Sequence, residues 1–347
     1  MDVLSAGAAT RSTQDAHRPS LSVIVPVYNE DSVLPEFHRR LAAVLDRIPA
    51  DAEIVYVNDG SSDRSIALLA ELNDRDPRVA VVDLSRNFGK EIAMTAGLDH
   101  AAGDAVVVID ADLQDPPELI PDMLAAWREG YDVVLMRRAS RARESWLKKA
   151  TARAFYRAIG RIGTIEIPED VGDFRLLSRR AVAAIARFPE RSRFMKGLFA
   201  WIGFACKEID YARDGRYAGE TKWNYWRLWN FALEGITSFS VVPLKVASYI
   251  GFATALIAFV YGIYFIVKTL IFGDPARGFP TLVTLVLFLG GLQLMALGII
   301  GEYLARMFIE VKQRPLYLVA RNLPAARPLP AANDSAARSR QELRETR

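Results

Sequence analysis

Apolar and polar positions follow a regular order of short and longer segments along the first part of the chain. Residues 21–27 (LSVIVPV) and 105–109 (AVVVI) are nearly uninterrupted apolar runs, as expected for parallel strands that are buried on both faces. Further strand and helix patterns occupy residues 32–48, 53–57, 62–75, 79–84 and 90–102. This alternation predicts a doubly wound α/β fold, in which ligands bind at the carboxyl ends of the strands.

Two much longer apolar stretches lie near the C-terminus. Residues 246–267 and 279–301 contain no charged side chain. Each stretch has the roughly 20 residues that the hydrocarbon core of a bilayer requires. A buried helical hairpin in a soluble protein is the alternative, but core helices seldom run this far without a charge. The pattern therefore predicts two transmembrane helices within residues 244–304.

The charges around these stretches predict their orientation. The connecting loop, residues 268–278, carries few charges, whereas basic residues are frequent before and after the two stretches. By the positive-inside rule both flanks face the cytosol and the tip of the hairpin faces outward. Residues 1–20 contain no apolar run of signal-peptide length, and we expect them to form a disordered tail. These patterns predict a protein of the inner (cytoplasmic) membrane, with the catalytic domain and both termini in the cytosol.

Three further segments outside the sheet pattern and the two apolar stretches have a biased composition. Residues 137–163 are rich in arginine and lysine interleaved with aromatic side chains, which suits an anionic lipid surface, although a solvated basic segment remains the alternative. Residues 223–243 begin with several tryptophans and predict an amphipathic helix lying on the membrane. Residues 305–347 predict a basic cytosolic segment that becomes a disordered tail from about residue 322.

The overall composition agrees with a soluble domain joined to a few membrane spans. The 347-residue chain is 51% hydrophobic and 24% charged, and its net charge of +3 gives no reason to expect a nucleic-acid partner. A single cysteine, Cys206, excludes an intrachain disulfide and a cysteine-rich metal site. His17, His38 and His100 do not cluster in the sequence, so a histidine metal site or a Ser-His-Asp triad has no support.

The strongest candidate for chemistry is the segment DADLQDPP at residues 110–117, directly after an apolar strand. In an extended segment alternate side chains share a face, so Asp110, Asp112 and Gln114 are expected to point into one site. Hard oxygen ligands of this kind suit Mg²⁺ or Mn²⁺. A bound cation would also relieve the repulsion between the two carboxylates and stabilise the charge on a departing diphosphate.

Two other strands end in polar residues at the same predicted edge of the sheet. PVYNE (residues 26–30) follows the first strand and NDGSSD (residues 58–63) follows the second. Tyr28 is suited to pack against a base, Asp59 to accept a hydrogen bond from a base N–H, and Gly60 to permit a tight turn. Each segment alone is equally consistent with an ordinary capped loop. Neither is a Walker A loop or a GxGxxG sequence, which argues against a P-loop nucleotidase and a nicotinamide dehydrogenase.

Four motifs, taken together, resemble those of a known enzyme family. SVIVPVYNE, VNDGSSDRS, LSRNFGKEIAMTAGL and DADLQDPPE follow one another as in inverting glycosyltransferases. Within that family the chain is most similar to the polyprenyl-phosphate branch, which includes dolichyl-phosphate mannosyltransferases and, closer still, two-span bactoprenol glucosyltransferases. The resemblance covers about residues 21–318. It implies a GT-A fold, with a Rossmann-like and mostly parallel sheet, for residues 21–222.

The resemblance also implies roles for individual residues. Positions that hold the nucleotide in the family are matched here by Pro26, Tyr28, Glu30, Val57 and Asp59. Asp110, Asp112 and Gln114, together with the intervening Ala111, match the metal and diphosphate positions, and Asp112 is expected to be essential for catalysis. Arg216 and Lys222 match a basic pair that closes over the diphosphate. Asp173 matches an acidic residue proposed to act in catalysis in the bactoprenol enzymes, although a loop carboxylate paired with Arg175 is the alternative.

The implied reaction is transfer of a hexose from a nucleotide diphosphate to a polyprenyl phosphate, with inversion. UDP is favoured over GDP, and undecaprenyl over dolichyl phosphate, only because the bactoprenol enzymes are the more similar. The acceptor phosphate, with a second pKa near 6, is already a nucleophile at neutral pH, so positioning and electrostatics are the main tasks of the protein. Asp173 would orient the acceptor or take its residual proton, and Arg137, Arg138 or Arg216 would counter its charge. Similar enzymes also imply a homo-oligomer, such as a tetramer.

Two other functions are compatible with parts of this sequence. A processive polysaccharide synthase would share the nucleotide-sugar domain, but the QxxRW motif of such enzymes is absent and only two spans are predicted. A catalytically silent membrane scaffold would not need Asp110, Asp112, Asp59, Arg216 and Lys222. Lys90, which begins a predicted helix at a strand end, is equally consistent with a lysine near the donor and with a solvated one.

Overall fold

The computed structural model describes residues 19–138, 171–191, 193, 195–211, 242–272 and 278–329. Several predicted features therefore lie outside the described residues. These are the N-terminal tail up to residue 18, the basic segment beyond Arg138, the pair Arg216 and Lys222, and the amphipathic helix up to residue 241. The structure neither supports nor opposes those predictions.

An eight-stranded mixed sheet forms the centre of the catalytic domain, with the strand order β7-β5-β6-β4-β1-β2-β3-β8. Strands β4, β1, β2 and β3 are parallel, β5 pairs with β7 in parallel, and β6 and β8 run antiparallel to their neighbours. The strands are β1 (Ser20–Val27), β2 (Asp51–Asn58), β3 (Val79–Leu84), β4 (Ala105–Val108), β5 (Val133–Arg138), β6 (Val171–Ser178), β7 (Cys206–Tyr211) and β8 (Val319–Leu323). The predicted parallel α/β core is confirmed, and antiparallel strands extend it on both sides.

Helices cover both faces of the sheet, which explains the uninterrupted apolar runs of its central strands. They are α1 (Leu34–Leu45), α2 (Ser65–Arg75), α3 (Lys90–His100), α4 (Ile120–Arg128), α5 (Arg179–Ala186) and α6 (Met195–Trp201). Along β1, Val23 and Val25 join the core under α1, α2 and α4, whereas Ile24 joins the core under α3, α5 and α6. The alternation of side chains along a strand thus supplies two separate apolar cores.

The register of the sheet brings the candidate site residues to one edge. Val27 of β1 pairs with Asn58 of β2, which in turn pairs with Asp83 near the end of β3. The carboxyl ends of these strands, and of the adjacent β4, therefore open on the same side. Strand β6 is antiparallel to β4, with Val108 opposite Arg175, so the beginning of β6 lies beside the end of β4.

Two long helices, α7 (Val242–Phe272) and α8 (Phe279–Lys312), follow the catalytic domain. Both are longer than the predicted spans, and residues 242–243, expected in the amphipathic helix, already belong to α7. Their windows Ala247–Tyr264 and Phe288–Lys312 are long and apolar enough to cross a membrane. Large apolar side chains such as Phe252 and Leu294 are each 72% exposed, so these helices bury little of their apolar surface within the chain.

The segment after α8 returns to the sheet and corrects one prediction. Disorder was expected from about residue 322, but Val319–Leu323 forms β8 antiparallel to β3. The Arg327 backbone N–H donates to the Pro77 carbonyl at 2.8 Å, and Leu329 is buried. The expectation is therefore wrong for residues 322–329. Its physical reason is that an edge strand is stabilised by backbone hydrogen bonds, which a polar and proline-rich composition does not reveal.

Gly60, at the end of β2, is required by both backbone conformation and space. Its φ is +64°, and a Cβ atom there would lie 2.4 Å from the Arg86 carbonyl carbon and from the Asn87 nitrogen. Gly203 has nearly the same φ, +63°, but the nearest atom to the corresponding position is the Trp201 carbonyl oxygen at 3.9 Å, an ordinary contact. The two glycines therefore separate the cost of the left-handed backbone from that of the close approach.

We expect Gly60→Ala to destabilise the full-length protein more than the control Gly203→Ala. A left-handed alanine costs about 1–2 kcal/mol in either place, and the contact with the 86–87 backbone adds to it only at Gly60. Thermal unfolding of both variants in detergent provides the measurement. Equal losses in Tm would show that the β3–α3 loop moves freely away from Gly60.

Candidate active site

The loops after β1 and β2, where the sequence predicts nucleotide contacts, are joined by hydrogen bonds. The Asn29 backbone N–H donates to Ser61 Oγ at 3.0 Å, and the Ser62 N–H donates to Asn29 Oδ1 at 2.8 Å. Asn29 has a φ of +55°, a conformation that asparagine tolerates better than most residues. These contacts hold the flanking Tyr28, which is 41% exposed, and Glu30 at the open edge of the sheet. Pro26 and Val57 pair in register just below.

Asp59 is buried and supports the neighbouring loop. Its two carboxylate oxygens accept from the backbone N–H groups of Phe88 at 2.7 Å and Gly89 at 3.0 Å. Burial raises the pKa of Asp59, although the two N–H donors oppose that shift. The predicted contact with a nucleotide base stays a prediction. The structure adds a second task that the sequence did not reveal, since Asp59 fixes the loop that leads into α3.

The segment after β4 differs from the expected backbone but keeps the expected alternation. The strand ends at Val108, and the Asp112 Oδ1 atom accepts from the Gln114 N–H at 3.1 Å within a turn. Leu113 has a φ of +57°, so the prediction of an extended segment is wrong here. Even so, Asp110, Asp112 and Gln114 are half-buried while Ala111 and Leu113 pack into the core. The turn therefore leaves the three polar residues on the accessible side, as predicted.

The oxygen atoms of this turn fit a divalent cation that is shared with a substrate. The described residues contain no group of three or more His, Cys, Asp or Glu that could hold a metal by themselves. Asp110 and Asp112 supply two carboxylates and Gln114 an amide oxygen, and Mg²⁺ is typically held by one or two carboxylates together with substrate phosphates. The residues present thus suit a metal that binds together with a diphosphate. The metal itself stays a prediction.

A lysine joins the two acidic parts of the candidate site. Lys90 Nζ lies 2.7 Å from Asp110 Oδ2 and 2.5 Å from Asp173 Oδ2. Its helix, α3, begins directly at Lys90 and points this residue at the carboxyl ends of the strands. The sequence left Lys90 undecided between a place near the donor and full solvation. The structure shows it paired with two carboxylates and not merely solvated, and a place near the donor stays a prediction.

Asp173 lies on β6, not in a loop. The sequence offered an ion pair with Arg175 as the alternative role of this carboxylate, but in the structure its partner is a different residue. The Arg175 guanidinium donates to the Gly172 carbonyl at 2.7 Å and lies 4.0 Å above the ring of Phe199. Its hydrogen bonds in the described structure therefore go to backbone carbonyls, and the partner of the Asp173 carboxylate is Lys90. Burial works to raise the pKa of Asp173, but Lys90, Lys196 and Arg175 outweigh it and hold that pKa well below its usual range.

Glu91 and Lys196 complete the cluster and were not singled out from the sequence. Glu91 accepts from the Met195 backbone N–H at 3.1 Å. Burial, with the nearby Asp173 carboxylate, raises the pKa of Glu91 to about 7. Burial also lowers the pKa of Lys196. The adjacency of Glu91 to Lys90 at a helix start was the only signal in the sequence, because α6 reaches the site only through tertiary packing.

Arg137, proposed from the sequence to counter the acceptor charge, is engaged elsewhere in this structure. Its guanidinium donates to Asp210 Oδ1 at 2.6 Å and to Glu208 Oε2 at 2.7 Å, both on β7. Arg137 and Arg138 also belong to β5, so the first two residues of the predicted basic interfacial segment are part of the sheet. A role for Arg137 at the acceptor phosphate stays a prediction, and it would require exchange of these partners.

Comparisons with known proteins identify the class to which this fold and site belong. The family described as "Glycosyl transferase family 2" matches residues 22–185, and that described as "GtrB C-terminal hairpin" matches residues 242–307. The chain therefore belongs to glycosyl transferase family 2, with a GtrB-type hairpin after the catalytic domain, and it is a glycosyltransferase with a GT-A-like fold.

Two relatives are similar to this chain over most of its length. An SfII prophage-derived bactoprenol glucosyl transferase of Shigella flexneri is 48% identical over 302 residues, which cover 87% of this chain and 98% of that protein. An uncharacterized glycosyltransferase of Synechocystis sp. is 51% identical over 300 residues, which cover 86% and 94% of the two chains. The resemblance to polyprenyl-phosphate glycosyltransferases noted from the sequence motifs is thereby confirmed.

A more distant likeness is found among solved structures. Glucosyl-3-phosphoglycerate synthase from Mycobacterium tuberculosis, crystallised with Mn²⁺, uridine diphosphate and phosphoglyceric acid, matches with a TM-score of 0.44 and 18% identity. The match covers 63% of this chain and 76% of that one. At this identity and TM-score the likeness carries no information about substrates or metals.

The raised pKa of Glu91 predicts a pH-dependent stability. The folded protein keeps this proton up to about pH 7, whereas the unfolded chain releases it near the ordinary value of 4.5. Between these values the folded state binds more protons, so the free energy of unfolding falls as pH rises. We expect Tm to fall from about pH 5 to about pH 7.5 in the wild type and to fall less in Glu91→Gln. The exposed Glu71→Gln is the control, and a slope unchanged in Glu91→Gln would contradict the assignment.

Proposed function

We propose that this glycosyltransferase transfers a hexose from a nucleotide diphosphate, preferentially UDP, to a polyprenyl phosphate of the undecaprenyl type, with inversion at the anomeric carbon. One observation carries the proposal: the Lys90 ammonium group forms ion pairs with the carboxylates of both Asp110 and Asp173. This cluster lies beside Asp112, at the carboxyl ends of the parallel strands. The bactoprenol glucosyl transferase of Shigella flexneri, alike over 87% of this chain, supports the lipid phosphate as acceptor.

The chain's own residues suit the two halves of this reaction. An oxygen of the acceptor phosphate attacks the anomeric carbon, the bond from that carbon to the diphosphate breaks, and the nucleoside diphosphate leaves. Tyr28, Asp59 and their loops would hold the nucleotide. Asp110, Asp112 and Gln114 would hold Mg²⁺ or Mn²⁺, and the cation would stabilise the charge on the leaving diphosphate. Arg216 and Lys222 would close over the same diphosphate.

Asp173 would orient a substrate by a hydrogen bond and would not serve as a strong general base. The lowered pKa of its carboxyl group keeps it ionised at neutral pH, and such a weak base removes a proton poorly. The acceptor needs little help, because a phosphomonoester is mostly dianionic at neutral pH. Asp173 is therefore suited to accept a hydrogen bond from an O–H group of the donor sugar, or from the phosphate O–H of the acceptor in its monoprotonated form.

Incubation of the purified protein with undecaprenyl phosphate, Mg²⁺ and a panel of UDP- and GDP-sugars tests this function. We expect one sugar per lipid by mass spectrometry, with a UDP-sugar as the best donor. A polymer would instead indicate a processive synthase. Absence of a lipid-linked product with every donor would overturn the proposal.

Asp112→Asn provides the matched test of the metal site. We expect turnover to fall by at least roughly 100-fold, because a group that stabilises developing charge is lost, while Tm stays close to that of the wild type. Asp122→Asn, an exposed position on α4, is the control and should keep full turnover. Full activity in Asp112→Asn would exclude this residue from the mechanism.

We further propose that α7 and α8 cross the inner membrane as a hairpin, with the catalytic domain in the cytosol. The exposed apolar windows of both helices and the basic residues that flank them support this orientation. Two spans per chain form a small anchor, so we also propose a homo-oligomer, such as a tetramer, for the protein in the membrane.

Cysteine labelling measures this topology. In a Cys206→Ser background, we expect Asp274→Cys, between the two helices, to react with a membrane-impermeant maleimide in intact spheroplasts. Glu71→Cys, on the exposed side of α2, should react only after lysis. The opposite pattern, or labelling of both positions in intact spheroplasts, would contradict the proposed orientation.

A further inference from the structure

Lys90 is the first residue of α3, and starting a helix does not require the two ion pairs that this residue forms. Its ammonium group lies between carboxylates from two different strands, at 2.7 Å from Asp110 and 2.5 Å from Asp173. The lysine side chain is 42% exposed, but the carboxylates it contacts are only 21% and 14% exposed. An ordinary surface lysine would extend into water without two such partners.

The electrostatics of the cluster depend on this cation. The Lys90 ammonium group lies within hydrogen-bond distance of both carboxylates, and two opposite charges this close favour its charged form. Two ionised carboxylates brought this close without a cation would repel each other. Lys90 therefore permits Asp110, which follows β4, and Asp173, near the beginning of β6, to present their carboxyl groups to one site.

The two oxygen atoms of Asp173 have different surroundings. Oδ2 is held by Lys90, whereas Oδ1 is buried and has no hydrogen-bond partner among the described residues. A buried carboxylate oxygen without a donor is costly unless a ligand supplies one. The arrangement thus leaves Oδ1 available for an O–H group of a substrate while Lys90 occupies the other oxygen.

The backbone that carries Lys90 is itself held on the nucleotide side. Phe88 and Gly89, the two residues before it, donate their N–H groups to Asp59. The Gly89 carbonyl then accepts from the Ile92 and Ala93 N–H groups at the start of α3. One short segment therefore fixes the position of Lys90 relative to Asp59 and limits how far its ammonium group can move.

We propose that Lys90 is a positioning residue, which holds Asp173 Oδ2 so that Oδ1 is directed to an O–H group of the donor sugar or of the monoprotonated acceptor phosphate. The inference rests on the proposed function, since it concerns the same reaction. Lys90 acts through Asp173, and its removal should matter only while Asp173 can accept that hydrogen bond.

A double-mutant cycle with Lys90→Met, Asp173→Asn and the combined variant tests the proposal. We expect Lys90→Met to lower kcat by roughly 100-fold, with the donor KM changed by no more than about twofold. Lys90→Arg, which keeps the charge, should recover at least about tenfold of that loss. The combined variant should be no slower than the slower single variant, because residues that act as one unit are not additive.

The controls separate the possible failures. Lys207→Met removes a lysine that is paired with Glu129 away from the site and should keep full turnover. Tm and size-exclusion profiles verify folding, and Lys90→Gln replaces Lys90→Met, with the same expectations, should the methionine variant not fold. Losses that multiply in the combined variant, a loss confined to KM, or equal losses in Lys90→Arg and Lys90→Met would overturn the role of Lys90 alone. A wild-type protein without glycosyl transfer would overturn the proposed function, and this inference with it.

Discussion

One ammonium group between two carboxylates is the interaction on which the candidate site depends. Asp110 follows β4 and Asp173 lies on β6, and the antiparallel pairing of these strands brings the two residues to the same edge. Without a cation their charges would oppose this arrangement. Lys90 compensates the charges from a third element, the start of α3, so the site requires the sheet and the helix to assemble together.

The loop around Asp59 and the acidic cluster around Lys90 are parts of one structure. Asp59 binds the backbone that leads into Lys90, and Gly60 lies against residues 86 and 87 of the same loop. A substrate that contacts Asp59 therefore touches a residue that also supports the cluster around Asp173. Through this shared loop, the position of Asp59 and the position of Lys90 depend on each other.

The helical hairpin is connected to the catalytic domain at its far end as well. Near the end of α8, the Glu310 carboxylate accepts from the Arg191 backbone N–H at 2.8 Å and 3.0 Å. The chain then returns to pair β8 with β3, which covers an edge of the sheet that would otherwise be open. These contacts hold the end of α8 against the domain, so the attachment of the two helices does not depend on α7 alone.

The sequence by itself determined the α/β core, the two apolar helices and the family, because these depend on local periodicity and on motifs that are contiguous in the chain. It also predicted that Asp110, Asp112 and Gln114 share one accessible side, and their alternate burial is kept although Leu113 turns the backbone. Only the tertiary structure decided that Lys90 bridges Asp110 and Asp173, that Glu91 and Lys196 lie beside them, and that Val319–Leu323 returns to the sheet. These features join residues far apart in the chain, through ion pairs and backbone hydrogen bonds that leave no periodic pattern in the sequence.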